Sequence, residues 1–363
     1  MVDSVVRPAL QRSAPFKRKS GCVTNRGTKV LAVGDLHGDF KAAIRVLNHT
    51  GVLAVDAALH RANLGVLAHN RSTRGTQPLR YDAYSWRFGN NMVVQTGDLF
   101  DRGLNSKELI ELWIWLGVEA AKDQGQVVNL LGNHELLQYQ DPMKLLHRKY
   151  DVGNDSMSYG DDVRKTWKAH RAGNLHTTTG KYGRWIASLP VVVYETTTKT
   201  LFSHGCLSSK WAQKGVEAMN DDAAALLRGV EAPSKAVEAA FGREESVAYG
   251  GDVGRDSNRL SDDDGPLWNR LYANAVRVKN WSLLRTQVNA ALEAHGEASR
   301  MVCGHTITRS EEPEQYVDGK IWFIDVAMTE GYGAGARWGA VLIERGRTTA
   351  RAYSHLDSLR STV

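Results

Sequence analysis

The chain has 363 residues, with 46 Lys and Arg against 40 Asp and Glu, a formal net charge of +6. The surplus sits in the first 29 residues, which hold Arg7, Arg12, Lys17, Arg18, Lys19, Arg26 and Lys29 against Asp3 alone, so residues 30–363 carry 39 charges of each sign. A neutral body excludes a nucleic-acid-coating surface outside the N-terminal segment, and 42% apolar with 24% charged residues excludes a disordered chain.

Three cysteines (Cys22, Cys206, Cys303) are too few, and odd in number, for a disulfide framework, and argue for a reducing, intracellular compartment. No run approaches the ~18–20 apolar residues of a membrane span, and no secretory h-region follows the N-terminal charges. Residues 1–28 read as a flexible basic tail in a cytoplasmic protein, with an organellar presequence as the alternative. Such a segment suits an import receptor or an anionic surface.

In chain order, Val30–Val33 is a short β-branched strand, followed by Gly34-Asp35-Leu36-His37-Gly38-Asp39 and a helix with Phe40, Ile44 and Leu47 on one face. Residues 53–90 lack a clear period and read as an insertion. Met92–Gln95 is a second strand running into Gly97-Asp98, and residues 105–122 a helix burying Leu109, Leu112, Trp113 and Leu116. Val127–Leu131 is a third strand, followed by Gly132-Asn133-His134-Glu135. Residues 141–180 are polar and read as a second insertion. Pro190–Tyr194 and Thr200–Ser203 form a hairpin ending in His204-Gly205, residues 211–242 are helical, and 244–265 loop. A helix over 282–298 precedes the strand Met301–Cys303, then Gly304-His305; Ile321–Ile324 and Trp338–Ile343 close the sheets. The expected organisation is one α/β domain over 29–355, with insertions near 53–90, 141–180 and 209–262 and a flexible end at 356–363.

Five motifs repeat one arrangement: an apolar strand, a glycine, then side chains able to bind metal. Singly, a Gly-Asp after a strand is an Asx turn and a Gly-His a polar loop. Together, carboxylates, an amide and several histidines stand at strand C-terminal ends, which in α/β sheets share one edge. A mixed Asp/His set suits Mn, Fe or Zn better than Mg or Ca, and no Cys-x-x-Cys spacing indicates structural zinc. A carboxylate can bridge two metals about 3.5–4 Å apart, and the Arg of Asp101-Arg102-Gly103 offers a planar fork for phosphate. Cys206 and Cys303 lack the Cys-x5-Arg loop of cysteine-based phosphatases and read as small buried side chains.

The series GDLHGD, GDLFDRG, LLGNHE, SHG and CGHT, read from residue 34 to 306, resembles the calcineurin-like metallophosphoesterases and, within them, the phosphoprotein phosphatases. Gly265–Arg270 (GPLWNR), Met301–Thr306 and Ile324–Met328 make it similar to the Shewanella-like branch, while Asp325–Tyr332 stands where common Ser/Thr phosphatases carry a SAPNY-type segment. The resemblance implies a two-sheet β-sandwich flanked by helices, with a dinuclear site at strand C-terminal ends. It implies two divalent metal ions, manganese or an iron–zinc pair. Asp35, His37 and Asp98 would hold the first, Asn133, His204 and His305 the second, with Asp98 bridging. It further implies His134 as general acid, Asp101 as the carboxylate orienting it, Arg102 and Arg270 with Asn133 as phosphate-binding groups, and in-line attack by a metal-bridging hydroxide. Tyr332 is a candidate to face the site.

The function implied is hydrolysis of phosphomonoesters on phospho-Ser/Thr or phospho-Tyr proteins. Two alternatives stand beside it. One keeps the fold and changes the substrate, an ApaH-like dinucleoside polyphosphate or RNA-cap hydrolase. The other is a non-catalytic phosphate-binding scaffold.

Overall fold

The computed structural model of the protein describes residues 21–73, 77–140, 185–228, 265–332, 337–347 and 350–355. Its strands are β1 (Cys22–Val23), β2 (Lys29–Val33), β3 (Leu53–Val55), β4 (Tyr84–Trp86), β5 (Met92–Gln95), β6 (Gln126–Asn129), β7 (Val192–Glu195), β8 (Thr200–Ser203), β9 (Arg300–Cys303), β10 (Glu314–Tyr316), β11 (Ile321–Phe323), β12 (Gly339–Glu344) and β13 (Arg351–Ser354). One sheet has the order β1-β7-β8-β9-β11-β10, the other β13-β12-β2-β5-β6.

Strand alternation explains the layering. Val30 and Ala32 of β2, with Met92, Val94, Val341 and Ile343, meet Val193, Phe202, Val302 and Trp322 of the opposing sheet in one dry cluster. The intervening Leu31 and Val33 point the other way, into a larger apolar layer shared with the helices. On that side lie α1 (Phe40–His49) and α3 (Ser106–Lys122), the latter burying Leu109, Leu112, Trp113 and Leu116 as its spacing predicts. The other sheet is covered by α5 (Ser209–Lys214), α6 (Val216–Arg228) and α8 (Trp281–His295). Two further helices are α4 (Asn133–Gln140) and α7 (Leu271–Arg277).

Register places the motifs. β2, β5 and β6 run parallel with Val33, Gln95 and Asn129 aligned, and β8 and β9 run parallel with Ser203 opposite Cys303. Every motif follows one of these five ends, so the loops converge without any long excursion of the chain.

Several expectations are corrected. Residues 53–90, expected as an insertion without a clear period, hold regular structure: β3 pairs antiparallel with β4 around α2 (Ala57–Thr73). This unit packs on α3, where the Trp115 indole donates to the Tyr84 carbonyl at 3.3 Å. The expected helix over 211–242 is α5 and α6, broken at Gly215, and its continuation past 228 lies outside the described residues. So do the segments expected at 141–180, 244–264 and 356–363. Ordered chain begins before residue 29, because β1 pairs parallel with β7 and the Asn25 backbone N–H bonds the buried Glu195 carboxylate at 3.0 Å. Two of the seven N-terminal cations therefore belong to the folded body: Arg26 bonds Gln124 at 2.9 Å and Lys29 pairs with Glu344 at 3.7 Å.

Cys206 and Cys303 are not separate thiols. They form a disulfide across 97 residues of sequence, Cα to Cα 5.2 Å, because the parallel ladder of β8 and β9 brings their chain segments together. The cysteine count therefore no longer argues for a reducing compartment. A cross-link closing a loop of that length restricts the unfolded chain strongly. The Cys206→Ser/Cys303→Ser variant should lose about 2–5 kcal/mol of stability. An unchanged urea midpoint, with the wild type kept oxidised, would show that the link contributes nothing.

Candidate active site

The motif loops leave their strands in unusual backbone. His37, Asp98, Asp101, Arg102 and His305 all have positive φ, between 42° and 68°. For residues other than glycine this conformation is sparsely populated, and it persists where surrounding contacts fix it. One such contact set is a staple. The Glu135 carboxylate accepts from the backbone N–H of Asp98 (2.8 Å), Leu99 (2.7 Å) and Gly132 (2.7 Å), tying the loop after β5 to the loop after β6. Asp98 returns the link by accepting from the His134 N–H at 2.9 Å. Two glycines let the loops close: a Cβ on Gly132 would overlap the Asp98 carboxylate, and one on Gly304 the Asp35 carboxylate.

Around Asp98 the side chains converge. His37, Asp98 and His134 form one group whose ligand atoms lie within 4.8 Å of one another, and Asp98, His204 and His305 form a second. Asp98 Oδ2 is 3.3 Å from His204 Nε2, 3.7 Å from His37 Nε2 and 3.9 Å from His134 Nε2. The Asn133 amide oxygen is 2.8 Å from His204 Nε2 and 3.0 Å from His305 Nδ1. Neighbouring ligands of a first-row metal are spaced at about 3 Å, given bonds of about 2.0–2.2 Å. Backbone carbonyls fix the ring orientations. His37 Nδ1 donates to Phe100 O at 2.8 Å and His204 Nδ1 to Thr96 O at 2.9 Å, which turns each Nε2 toward Asp98. His305 Nε2 is buried with no hydrogen-bond partner among the described residues. An oxygen–nitrogen donor set of this kind, with an unpartnered buried imidazole nitrogen, fits divalent cations.

Asp35 stands apart from the two groups. Its carboxylate accepts from the His305 N–H at 3.1 Å and faces the buried Asp325. Burial raises its pKa well above the usual carboxylate range, with Asp325 and Asp98 adding to the rise. Asp325 is likewise pushed up, to about 6, chiefly by burial.

His134 Nδ1 is 2.7 Å from Asp101 Oδ2 and the ring is mostly buried. Burial alone would lower its pKa, but Asp98 and Asp101 carry it up to about 8. His37 shows the opposite outcome, lowered to about 3 by burial and by the neighbouring His134. For Asp98, burial works against ionisation, and the imidazoles of His204, His134 and His37 together outweigh it, holding the group well below the usual range.

The two arginines differ. The Arg102 guanidinium lies 4.6 Å over the Tyr332 ring, with its Nε buried and without a partner among the described residues. Arg270 is exposed and touches the site's edge through Thr306 Oγ1 at 3.3 Å. Tyr332 does face the site, its hydroxyl 2.9 Å from His37 Nε2. Sequence reasoning assigned no role to Glu135 or Asp325. The adjacency of Glu135 to His134 was visible, but its action on backbone N–H groups 36 residues away was not.

A family model described as calcineurin-like phosphoesterase matches residues 28–308. An uncharacterized protein of Schizosaccharomyces pombe is 27% identical over 320 residues, which span 85% of this chain and 76% of that protein. Shewanella-like protein phosphatase 1 of Plasmodium berghei is 23% identical over 301 residues, 83% of this chain and 67% of that protein. A crystal structure of a cold-active protein-tyrosine phosphatase from a psychrophilic Shewanella has the same fold, with a TM-score of 0.57 at 20% identity over 93% of this chain and 83% of its own.

The staple makes a prediction independent of turnover. Glu135→Gln replaces an acceptor of three N–H bonds with an amide that can accept with only one oxygen. It should cost about 1–3 kcal/mol in thermal or urea unfolding. It should also weaken Mn binding measured by calorimetry. Wild-type behaviour in both measurements would show the staple to be dispensable.

Proposed function

Because the chain belongs to the calcineurin-like phosphoesterase family, we propose that it is a metal-dependent phosphatase of phosphoproteins, acting on phospho-Ser/Thr or phospho-Tyr side chains. The observation that carries this reading is the His134–Asp101 pair, 2.7 Å apart, set against the Asp98-centred clusters. A module that only bound phosphate would have no use for an oriented acid. The Plasmodium berghei relative is named a protein phosphatase and the Shewanella structure a protein-tyrosine phosphatase, which supports a phosphoprotein substrate.

Asp35, His37 and Asp98 would hold one divalent cation, and Asn133, His204 and His305, with Asp98 nearby, would hold a second. The donor set suits manganese or an iron–zinc pair. When bound, such ions polarise phosphoryl oxygens and make water acidic enough to attack at neutral pH. The protein's own groups do the rest. Arg102, held flat on Tyr332, offers a fixed fork to two phosphoryl oxygens, and Arg270 closes from the rim. Asp101 accepts a hydrogen bond from His134 Nδ1–H and so directs Nε2–H toward the ester oxygen. As the water oxygen bonds to phosphorus, its own proton leaving to solvent, the P–O ester bond breaks and His134 gives its Nε2 proton to the departing alkoxide and is left neutral. The basic side chains before residue 21 are assigned to docking on an import receptor or anionic surface and take no part in this chemistry.

With Mn present, His134→Ala should lower kcat on a phosphopeptide about 10²–10⁴-fold, and Asp101→Asn should lower it less. Removal of residues 1–20 should leave turnover intact. Faster cleavage of diadenosine tetraphosphate than of any phosphopeptide or aryl phosphate would overturn the proposal in favour of a dinucleoside polyphosphate hydrolase.

A further inference from the structure

Beside His305 the surface opens into a cavity of about 180 Å³ between α7 and the segment 306–309. Its inner end is Arg270, whose guanidinium reaches the Thr306 hydroxyl, one residue past His305. Arg277 and Arg309 line it further out, and Val276, Ile307 and Phe323 supply apolar surface between them. Ile307 is 42% exposed, unusual for a large aliphatic side chain next to a cleft. The aromatic surface continues past Phe323: its ring is 5.8 Å from that of Tyr316, which stacks at 6.1 Å on Trp281.

The charge of this groove is only partly neutralised from within: one acid stands against three guanidiniums. The acid lining it is Glu314, whose carboxylate is already committed. Oε1 accepts from the N–H groups of Arg309 and Ser310 at 2.9 and 2.8 Å, and Oε2 from the Tyr316 hydroxyl at 2.6 Å. Among the described residues, none of the three guanidiniums forms an ion pair with a carboxylate. Three permanent cations interleaved with aliphatic surface, opening directly onto the catalytic edge, fit an extended peptide that carries both acidic and apolar side chains. A nucleic-acid backbone would leave the exposed Ile307 without a partner.

Resting on the phosphatase reading, we propose that this groove is the substrate-specificity site. It holds the stretch of the phosphoprotein adjoining the phosphorylated residue and selects an acidic side chain next to an apolar one. An extended chain advances about 3.3 Å per residue, so Arg277 and Arg309 read positions within a few residues of the phosphate.

The test uses the full chain with Mn and two phosphopeptides identical except that the flanking residues are Asp-Leu-Glu in one and Lys-Leu-Lys in the other. The acidic peptide should be preferred about tenfold in kcat/KM, and the preference should shrink at high salt. In the double variant Arg277→Glu/Arg309→Glu the preference should invert, a result that loss of folding cannot mimic. Turnover of both peptides at equal rates by the wild type would overturn the groove while leaving the phosphatase reading standing. No turnover of either peptide or of an aryl phosphate would overturn the phosphatase reading and the groove with it. Stronger inhibition by a single-stranded oligonucleotide than by the unphosphorylated acidic peptide would also overturn the assignment.

Discussion

Asp98 is a carboxylate buried to 2% exposure, with three imidazole rings around it, and the site is organised by the need to keep its charge satisfied. An isolated carboxylate at that depth costs several kcal/mol in lost hydration. Here one oxygen takes the His134 N–H and the other faces the Nε2 atoms of His204, His37 and His134. The solution creates a second problem. Asp35, Glu135 and Asp325 are buried at the same sheet edge, and each is pushed toward its neutral form by burial. Glu135 sits near 7 even with three backbone donors. Four carboxylates against a few imidazoles is an arrangement that gains from divalent cations, the same direction in which the donor geometry points.

The fold makes this crowding affordable in backbone terms. Parallel neighbours align the ends of β2, β5 and β6 in one sheet and of β8 and β9 in the other, so each motif loop needs only a few residues to reach the centre. Short loops force tight turns, and the left-handed backbone at His37, Asp98, Asp101, Arg102 and His305 is the consequence. Each such residue costs of order 1–3 kcal/mol in strain, less for Asp and His than for branched side chains. The Glu135 staple and the Cβ-less positions 132 and 304 keep those conformations in place.

That division also explains what was legible in the sequence. The strands after which the motifs sit were readable because a short β-branched run followed by Gly is a local signal, and so were α1 and α3 from their apolar spacing. The groups around Asp98 were readable because five similar motifs occur together, although no single one is informative. Glu135 was not, since its partners are backbone atoms on a distant loop that no side-chain pattern announces. The Cys206–Cys303 bond was missed for a similar reason: pairing across 97 residues is a property of the β8–β9 ladder, not of the cysteine count. α2 was missed because its sequence has no apolar stripe, and β1 because two residues carry no period. The boundary at residue 29 failed because the charge change was read as a fold boundary, whereas Arg26 and Lys29 find partners within the fold.

Charge placement separates two tasks that the net +6 conceals. Arg102 is pre-set: its backbone is left-handed, its guanidinium lies on Tyr332, and Tyr332 in turn reaches His37. Little rotamer freedom would remain to be lost if it binds a phosphoryl dianion as proposed, so it suits fixing one orientation. Arg270 is exposed, and among the described residues its guanidinium bonds the Thr306 hydroxyl alone, so in the proposed phosphatase it would be ordered as it engages and could follow substrates of different shape. Beyond it Arg277 and Arg309 lie still further from the buried cluster. The gradient from a rigid cation beside His37 to groove cations that form no ion pair among the described residues is what the phosphatase proposed above would need if the phosphoryl group is constant and the protein around it varies. It arises within a body whose net charge is close to zero, which is why composition alone could not show it.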